Sequence, residues 1–311
     1  MEPSDYSKLI RRDKVTDTAA TTFPDSVEIP EGFIRTDELT NHGADEAVIQ
    51  QMKDSTAEFF GLPQESKNAV AVRGGGFEGF GHHFNEPATD KLDWAECLLL
   101  GTQPVQTRNM EFWPTNPPTF RYALDRYSVE MTNLARRLLG FMAADLGVTP
   151  ETLFSAFSNK TQSMGIHRYP PCRNPDKVLG MTPHTDGFGL TLLLHVDDTP
   201  GLQIRRGGRW FPVHPLPGAF VVNVGDVLDV LSNAAYGSVE HRVLPHAERS
   251  RTTVVVFQDA SVDGMVAPLP ELLLKGDEAL YKSIGRLDFS KGHLRALAQG
   301  TQFLDSLKTS S

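Results

Sequence analysis

Cysteine is nearly missing from this chain: among 311 residues only Cys97 and Cys172 occur, too few for a disulfide framework. That usage fits a reducing compartment and a cytoplasmic location. Long apolar runs are missing as well. The longest uninterrupted stretches, such as Val254 to Phe257, fall far short of the roughly 20 residues that cross a bilayer, so no transmembrane helix is expected. Met1 to Leu9 mixes acids and polar residues where a secretory signal would place a basic start and an apolar stretch. Basic clusters are equally scarce, none exceeding a pair such as Arg11-Arg12 or Arg136-Arg137. With 30 basic against 39 acidic side chains the net charge is −9, which gives no pull toward phosphate backbones or anionic lipid. Nucleic acid and membrane are therefore not expected as partners. What is present is ordinary: 40% apolar and 22% charged residues suffice to bury a core and argue against disorder.

The first forty residues mix Asp, Thr, Pro and Glu without periodicity and read as a loosely held arm. From Asp45 the apolar residues Val48, Met52, Phe59 and Phe60 fall at helical spacing, giving a helix that Pro63 ends. Arg73 to Gly81 reads as a glycine-rich mobile loop over a pocket; it lacks the Lys-Ser/Thr ending and following helix of a phosphate loop. A long helix is predicted from about Phe120 to Leu146, with Leu124, Tyr127, Met131, Leu134, Leu138 and Phe141 on one face and Gly147 as its stop. After Asn159 come short alternating or apolar runs punctuated by Pro, Gly and Asp. Seven strands are predicted, at Gln162 to Tyr169, Leu190 to Val196, Leu202 to Arg205, Trp210 to Val213, Ala219 to Val224, Val239 to Val243 and Thr252 to Asp259, which suggests a sandwich or barrel. Ser290 to Leu307 reads as one closing helix.

The chemistry concentrates around His184-Thr185-Asp186, which puts two metal-ligand side chains two residues apart, on one face of a strand. Such a pair is common by chance, and the chain holds a second, His195-Val-Asp197. Context favours the first. It sits between Gly180-Met-Thr-Pro183 and Gly187-Phe-Gly189, at a strand end beside flexible backbone, whereas the second runs into the turn Asp198-Thr-Pro200. Glu240-His241-Arg242 can supply a second imidazole, and Arg251-Thr252-Thr253 presents a cation and a hydroxyl on one strand face. Two neutral imidazoles and one carboxylate are the ligand set that leaves positions open on Fe(II). Charge balance favours a dicarboxylic 2-oxo acid beside it, because its two negative charges with Asp186 cancel those of the metal and Arg251, and a buried site needs that cancellation. The other histidines, His42, His82, His83, His214, His246 and His293, show no matching ligand spacing and are expected to be surface or satisfied polar residues.

His184-x-Asp186, His241 and Arg251-x-Thr253, with Tyr169-Pro-Pro-Cys172, Gly201-Leu-Gln203 and Asn223-Val-Gly-Asp226 around them, resemble the plant soluble 2-oxoglutarate and Fe(II)-dependent dioxygenases, also called iron/ascorbate-dependent oxidoreductases. The resemblance covers most of Leu39 to Leu307. It implies a mainly β fold with flanking helices and a double-stranded β-helix (jelly-roll) core. Three regions follow: an arm and helical region over 1–159, the jelly-roll domain over 160–262 and a helical extension over 263–311. It also implies that His184, Asp186 and His241 bind Fe(II) and that Arg251 pairs with the distal carboxylate of 2-oxoglutarate. Tyr169 and Thr253 would add hydroxyl contacts, ascorbate would serve as reductant, and the protein would act as a monomer. Thr253 stands where the family usually has Ser, and His167 where it usually has Asn. Ahead of Leu39-Thr-Asn-His-Gly43 the family carries a strand, a helix and a second strand, about 40 to 60 residues, where this chain runs straight on from Arg35-Thr-Asp-Glu38. An internal deletion is the reading.

The implied reaction consumes 2-oxoglutarate and O₂, releases succinate and CO₂, and hydroxylates a small aromatic metabolite. Gly76-Phe-Glu-Gly-Phe-Gly81 and Asp93-Trp-Ala-Glu96 look closest to grass-type members acting on indoles and related compounds, so an indole such as melatonin (2-hydroxylation) or auxin leads. The alternatives are a dioxygenase of benzoxazinoid, flavonoid or alkaloid metabolism, or a catalytically impaired truncated isoform. Phe84, Trp94, Leu98, Phe188, Tyr236 and Phe257 are the candidates for the substrate pocket.

Overall fold

The computed structural model describes residues 42–74, 76–82, 85–86, 91–158, 161–274 and 278–309. The arm expected before residue 41, the junction at Arg35 to Glu38, His83 and Phe84 lie outside the described residues.

The chain opens with helices α1 (Glu46–Gly61) and α2 (Gln64–Asn68) and strands β1 (Gly79–Gly81), β2 (Asn85–Glu86), β3 (Lys91–Leu92) and β4 (Glu96–Gln103). Helices α3 (Phe120–Leu146) and α4 (Pro150–Ala156) follow, then β5 (Gln162–Tyr169), β6 (Met181–His184), β7 (Leu190–His195), β8 (Leu202–Arg206), β9 (Arg209–Pro212) and β10 (Phe220–Val224). Helix α5 (Asp226–Leu231), strands β11 (His241–Val243), β12 (Arg251–Gln258) and β13 (Met265–Val266), helix α6 (Pro270–Leu273), strand β14 (Ile284–Gly285) and helices α7 (Arg286–Ala298) and α8 (Phe303–Leu307) complete it.

Helix α1 starts where the sequence places it, because the Asp45 carboxylate accepts from the Ala47 backbone N–H and caps the first turn. Its predicted apolar residues Val48, Met52, Phe59 and Phe60 are all buried. Helix α3 also holds its predicted limits. Its apolar stripe drifts, however: Phe141 is exposed and Leu138 half-buried, while Ala135, Leu139 and Met142 take the buried face, as the 3.6-residue period requires over seven turns.

Six strands form one antiparallel sheet in the order β1-β4-β5-β12-β7-β10, and β6-β11-β8-β9 form a second. The period of two along each strand divides the large sheet into two faces. Leu98, Leu100, Met164, Ile166, Leu192, Leu194, Val254 and Val256 face the helices and build the main core with α1 and α3. Tyr169, Leu193 and Val255, on the other face, meet Leu202 and Val243 of the small sheet. Two sheets closed over an interior in this way, with helices on the outside, make the jelly-roll core with flanking helices that the resemblance implies. The sheet continues across residue 160, since β4 pairs with β5 along its whole length.

At the start of β5 the buried Gln162 side chain locks α3 to the sheet. It accepts from the Thr102 and Ser128 hydroxyls at 2.6 and 2.7 Å and donates to Thr132 at 2.9 Å.

All seven predicted strands are present within two residues of their expected ends. Three differences stand out. The loop expected over Arg73 to Gly81 ends as β1, paired with β4 at the sheet edge instead of lying free over a pocket. Strand β4 was not expected, and β6 was expected only as a strand end at His184, without bounds. The single closing helix is two, α7 and α8, separated at Gly300, whose φ of 63° breaks the helical path. Leu124 on α3 is fully buried in the main core. Leu124→Ala should lower the stability by about 2 to 5 kcal/mol, read as a shift of the urea midpoint at constant slope.

Candidate active site

Strand β6 ends at His184, and β11 begins at His241 directly opposite in antiparallel register. Cross-strand partners share a face, so the two imidazoles meet with ring centroids 4.2 Å apart. Asp186 lies just past the strand end, and the turn there, rather than continued strand alternation, carries its carboxylate back. Its Oδ1 is 3.7 Å from Nε2 of His184 and 3.7 Å from Nε2 of His241. The three ligand atoms lie within 4.8 Å of one another, the one such group among the described residues. Each ring is oriented from behind: Nδ1 of His184 lies 2.8 Å from the Thr182 carbonyl and Nδ1 of His241 lies 3.1 Å from that of Val239. A carbonyl only accepts, so each Nδ1 carries the proton and each Nε2 presents its lone pair to the site. Burial and the neighbouring His241 push the His184 imidazole down to about 4, so it is neutral at physiological pH. Burial drives the Asp186 carboxyl upward, but the two imidazoles and hydrogen bonds from Thr191 and Asn223 outweigh it and hold it below the usual range. Two neutral nitrogens and a carboxylate converging on one point suit a divalent first-row metal.

The predicted anion-binding residues come together on β5 and β12. Arg251 pairs with Tyr169, and Thr253 with His167, all on the face that looks into the space between the sheets. Arg251, Tyr169 and Thr253 are 1, 2 and 0% exposed. The guanidinium lies over the Tyr169 ring, 5.1 Å from its centroid, and none of its three nitrogens has a hydrogen-bond partner. Nor does the Thr253 hydroxyl. A buried cation without a counterion is expensive, and burial accordingly pulls the Arg251 pKa downward against the opposing influence of Tyr169 and Asp197. Such a group is completed by an anion. Gly201 makes the arrangement possible, since a Cβ there would stand 3.1 Å from Arg251 Cδ and 2.6 Å from the Leu244 carbonyl oxygen. The donor set thus fits both groups that the resemblance implies.

Residues 160–260 match the 2OG-Fe(II) oxygenase superfamily, and residues 32–116 match the non-haem dioxygenase in morphine synthesis N-terminal family. The chain is 38% identical over 270 residues to 2-oxoglutarate-dependent dioxygenase 11 of Oryza sativa subsp. japonica, covering 87% of this chain and 75% of that protein. This chain is a 2-oxoglutarate- and Fe(II)-dependent oxygenase. It is equally 38% identical to S-norcoclaurine synthase 1 of Coptis japonica, over 87% of this chain and 76% of that one. Among solved structures it resembles JOX2 in complex with 2OG, Fe and JA, with a TM-score of 0.80 and 31% identity over 87% of this chain and 80% of that one. The oxygenase is an oxidoreductase whose cofactors are iron and 2-oxoglutarate, and it belongs with enzymes of plant secondary metabolism. Among the described residues no helix is long and apolar enough to cross a membrane.

Around the centre the oxygenase has an outer layer that sequence reading did not find. Arg286, at the start of α7, donates to both Asp259 oxygens at 3.0 and 2.6 Å and to the Gly187 carbonyl at 3.0 Å, gripping the loop that follows Asp186. Two turns on, His293 lies against Gly187 and places Nδ1 3.2 Å from Asp226, whose same oxygen accepts from the Thr185 hydroxyl at 3.0 Å. His293 of α7 is thus packed against the loop that follows Asp186, and only the fold could reveal it.

Of the aromatic pocket candidates, Phe188 and Phe257 stack at 4.6 Å and are half-buried at the ligand loop. Leu98 and Tyr236 belong to the main core instead, and Trp94 is an exposed indole bonded to the Pro170 carbonyl. A cavity of about 180 Å³ borders His184, lined also by Thr185, Arg205, Glu240, His293 and Phe303. In the second His-x-Asp pair, Asp197 accepts from the Thr199 and Thr252 amides as a turn residue, and His195 is buried opposite Thr253. Arg286→Met should leave Asp259 buried and unpaired, lowering stability by about 3 to 5 kcal/mol in denaturant titrations.

Proposed function

We propose that this oxygenase hydroxylates a small, largely apolar aromatic metabolite, with an indole such as melatonin (2-hydroxylation) or auxin as the leading substrate. In this reading His184, Asp186 and His241 hold Fe(II), and Arg251, Thr253 and Tyr169 hold 2-oxoglutarate. Bound iron, with O₂ and 2-oxoglutarate, supplies the oxidising power, and succinate and CO₂ are released. The chain's own residues position and exclude. Arg251 fixes the distal carboxylate, Tyr169 and the apolar walls Leu193, Leu202, Val243 and Val255 keep water from it, and the Nδ1–H groups of His184 and His241 hold the rings in one tautomer.

The observation that carries the co-substrate reading is the buried Arg251 guanidinium, whose nitrogens lack a hydrogen-bond partner, in a fold that also gathers the His-Asp-His cluster. The aromatic preference is supported by the stacked, half-buried Phe188 and Phe257. The solved structure of a rice dioxygenase for auxin oxidation, 26% identical with a TM-score of 0.72, supports an indole acid. A flavonoid 7-O-demethylase of Ocimum basilicum at 35% identity keeps flavonoid, benzoxazinoid and alkaloid metabolism as the second reading.

A panel of indoles, phenolics and flavonoids, assayed with ascorbate for coupled succinate release, tests this. Release with an indole is the expected result, and silence across the whole panel would sink the aromatic reading. His184→Ala should abolish iron retention, whereas Arg251→Ala should keep iron and weaken 2-oxoglutarate by roughly a hundredfold, the loss of a charge-assisted bidentate pair. Fe(II) with 2-oxoglutarate at about 100 times its dissociation constant should stabilise the native state by about 2.7 kcal/mol. An unchanged melting temperature would instead mark a catalytically impaired form.

A further inference from the structure

The inner face of the large sheet carries a row of side chains across four strands: Cys97, His167, Thr253 and His195, each opposite the next. Three of them have an account. Cys97 is a buried thiol, and burial pushes its pKa upward, keeping it protonated. His167 lies over Gly165 and stacks near Tyr169. Thr253 faces the proposed co-substrate. His195 has none: it is 5% exposed, and both its ring nitrogens are buried without a hydrogen-bond partner. Its sequence companion Asp197 is engaged by backbone amides, so it is not a metal ligand pair.

Buried polar atoms are nearly always satisfied in a completed protein, so orphaned atoms clustered on one wall mark where a ligand's polar groups sit. Here the orphans are the Arg251 guanidinium, the Thr253 hydroxyl and the His195 imidazole, two of them directly opposite in register. A carboxylate has about four lone-pair sites. The guanidinium fork, the Thr253 hydroxyl and the His195 ring are the orphaned groups on this wall that such an acceptor would satisfy, next to the Tyr169 hydroxyl. Burial and the nearby Arg251 charge push His195 down to about 4, so its ring is neutral at physiological pH, with one N–H to give. A neutral donor also preserves the charge balance between the metal, Asp186, Arg251 and a dianion.

We propose that His195 is a further co-substrate-binding residue, its neutral imidazole donating to the distal carboxylate of the 2-oxo acid alongside Arg251 and Thr253. This rests on the co-substrate reading above and assigns one more residue to it. The ring then distinguishes a 2-oxo diacid from a 2-oxo acid with an apolar end, because only the former satisfies it.

The test is anaerobic calorimetry on the full-length Fe(II) protein with 2-oxoglutarate and with 2-oxopentanoate, which carries a methyl group in place of the distal carboxylate. His195→Leu should weaken 2-oxoglutarate about tenfold or more while leaving 2-oxopentanoate unchanged, and His195→Gln, which keeps a donor, should restore most of the loss. Undiminished 2-oxoglutarate affinity in His195→Leu overturns the proposal. So does an equal loss for both ligands, or a loss that Gln does not rescue, since either means that the ring only fills space. Arg251→Ala separates the two levels of inference. If it weakens 2-oxoglutarate and His195→Leu does not, the assignment of His195 alone fails; if wild type and Arg251→Ala are equally indifferent to 2-oxoglutarate, the co-substrate reading fails and takes His195 with it.

Discussion

Everything in the active site depends on the two-residue alternation of β12, held between β5 and β7. Arg251, Thr253, Val255 and Phe257 face the interior between the sheets, and Thr252, Val254, Val256 and Gln258 face the helices. A slip of one residue would exchange the two sets, driving Arg251 into the main core and Val254 into the anion pocket. That error is very costly, so the register is strongly specified. The same pairing fixes Tyr169 and His167 on β5 and His195 on β7, because opposed residues share a face. One strand thereby sets most of the wall against which a dianion would lie, and the small sheet, through the pairing of β6 with β11, sets the metal-ligating edge.

What was legible in the sequence follows from the same alternation. Strand β12 is a run of β-formers from Thr252 to Phe257, and β5 shows a clear stop at Tyr169 before Pro170-Pro171, so both were readable almost to the residue. The His-x-Asp motif and the distant His241 were readable as chemistry because few residue types bind metal. Strand β4 was hidden because Cys97 to Leu100 is a short continuous apolar run, which periodicity cannot assign to strand or helix. The extent of β6, expected only as a strand end at His184, was hidden because Pro183 sits within it, which is tolerated because β6 is an edge of the small sheet. Arg286 and His293 carry no local signal at all. Their role arises when α7 folds back on the Asp186 loop, about a hundred residues away in sequence. The pair His195-x-Asp197 was legible as a strand end running into a turn, and it is one: the strand stops at His195 and Asp197 accepts backbone amides, while the burial of the His195 ring opposite Thr253 shows only in the fold.

The proposed metal centre shows how the fold fixes electronic state as well as position. Nδ1 of each ligating histidine is committed to a backbone carbonyl two residues upstream, so the tautomer is chosen before any metal arrives. Asp186 stays ionised in a buried setting because both imidazoles face it and Asn223 approaches its second oxygen at 3.5 Å. The loop that carries it is restrained from two further sides, by the Asp226 amide on its own carbonyl at 2.7 Å and by Arg286 on Gly187. Helix α7 is therefore part of the geometry of the centre, although it contributes no ligand.

A net charge of −9 would seem to disfavour binding a dianion, yet the relevant field is local. Surface charges are screened over about 8 Å at physiological ionic strength, whereas a guanidinium buried between two sheets is screened far less. Folding has already removed Arg251 and Thr253 from water, with the Tyr169 ring against the guanidinium but its nitrogens left for a ligand, and the main core of α1, α3 and the large sheet supplies the stability that offsets this. A ligand carboxylate then meets donors that need no further desolvation or ordering, so more of its interaction energy appears as affinity. The side chain whose burial costs the fold stability is the same one that would give it specificity for an anion.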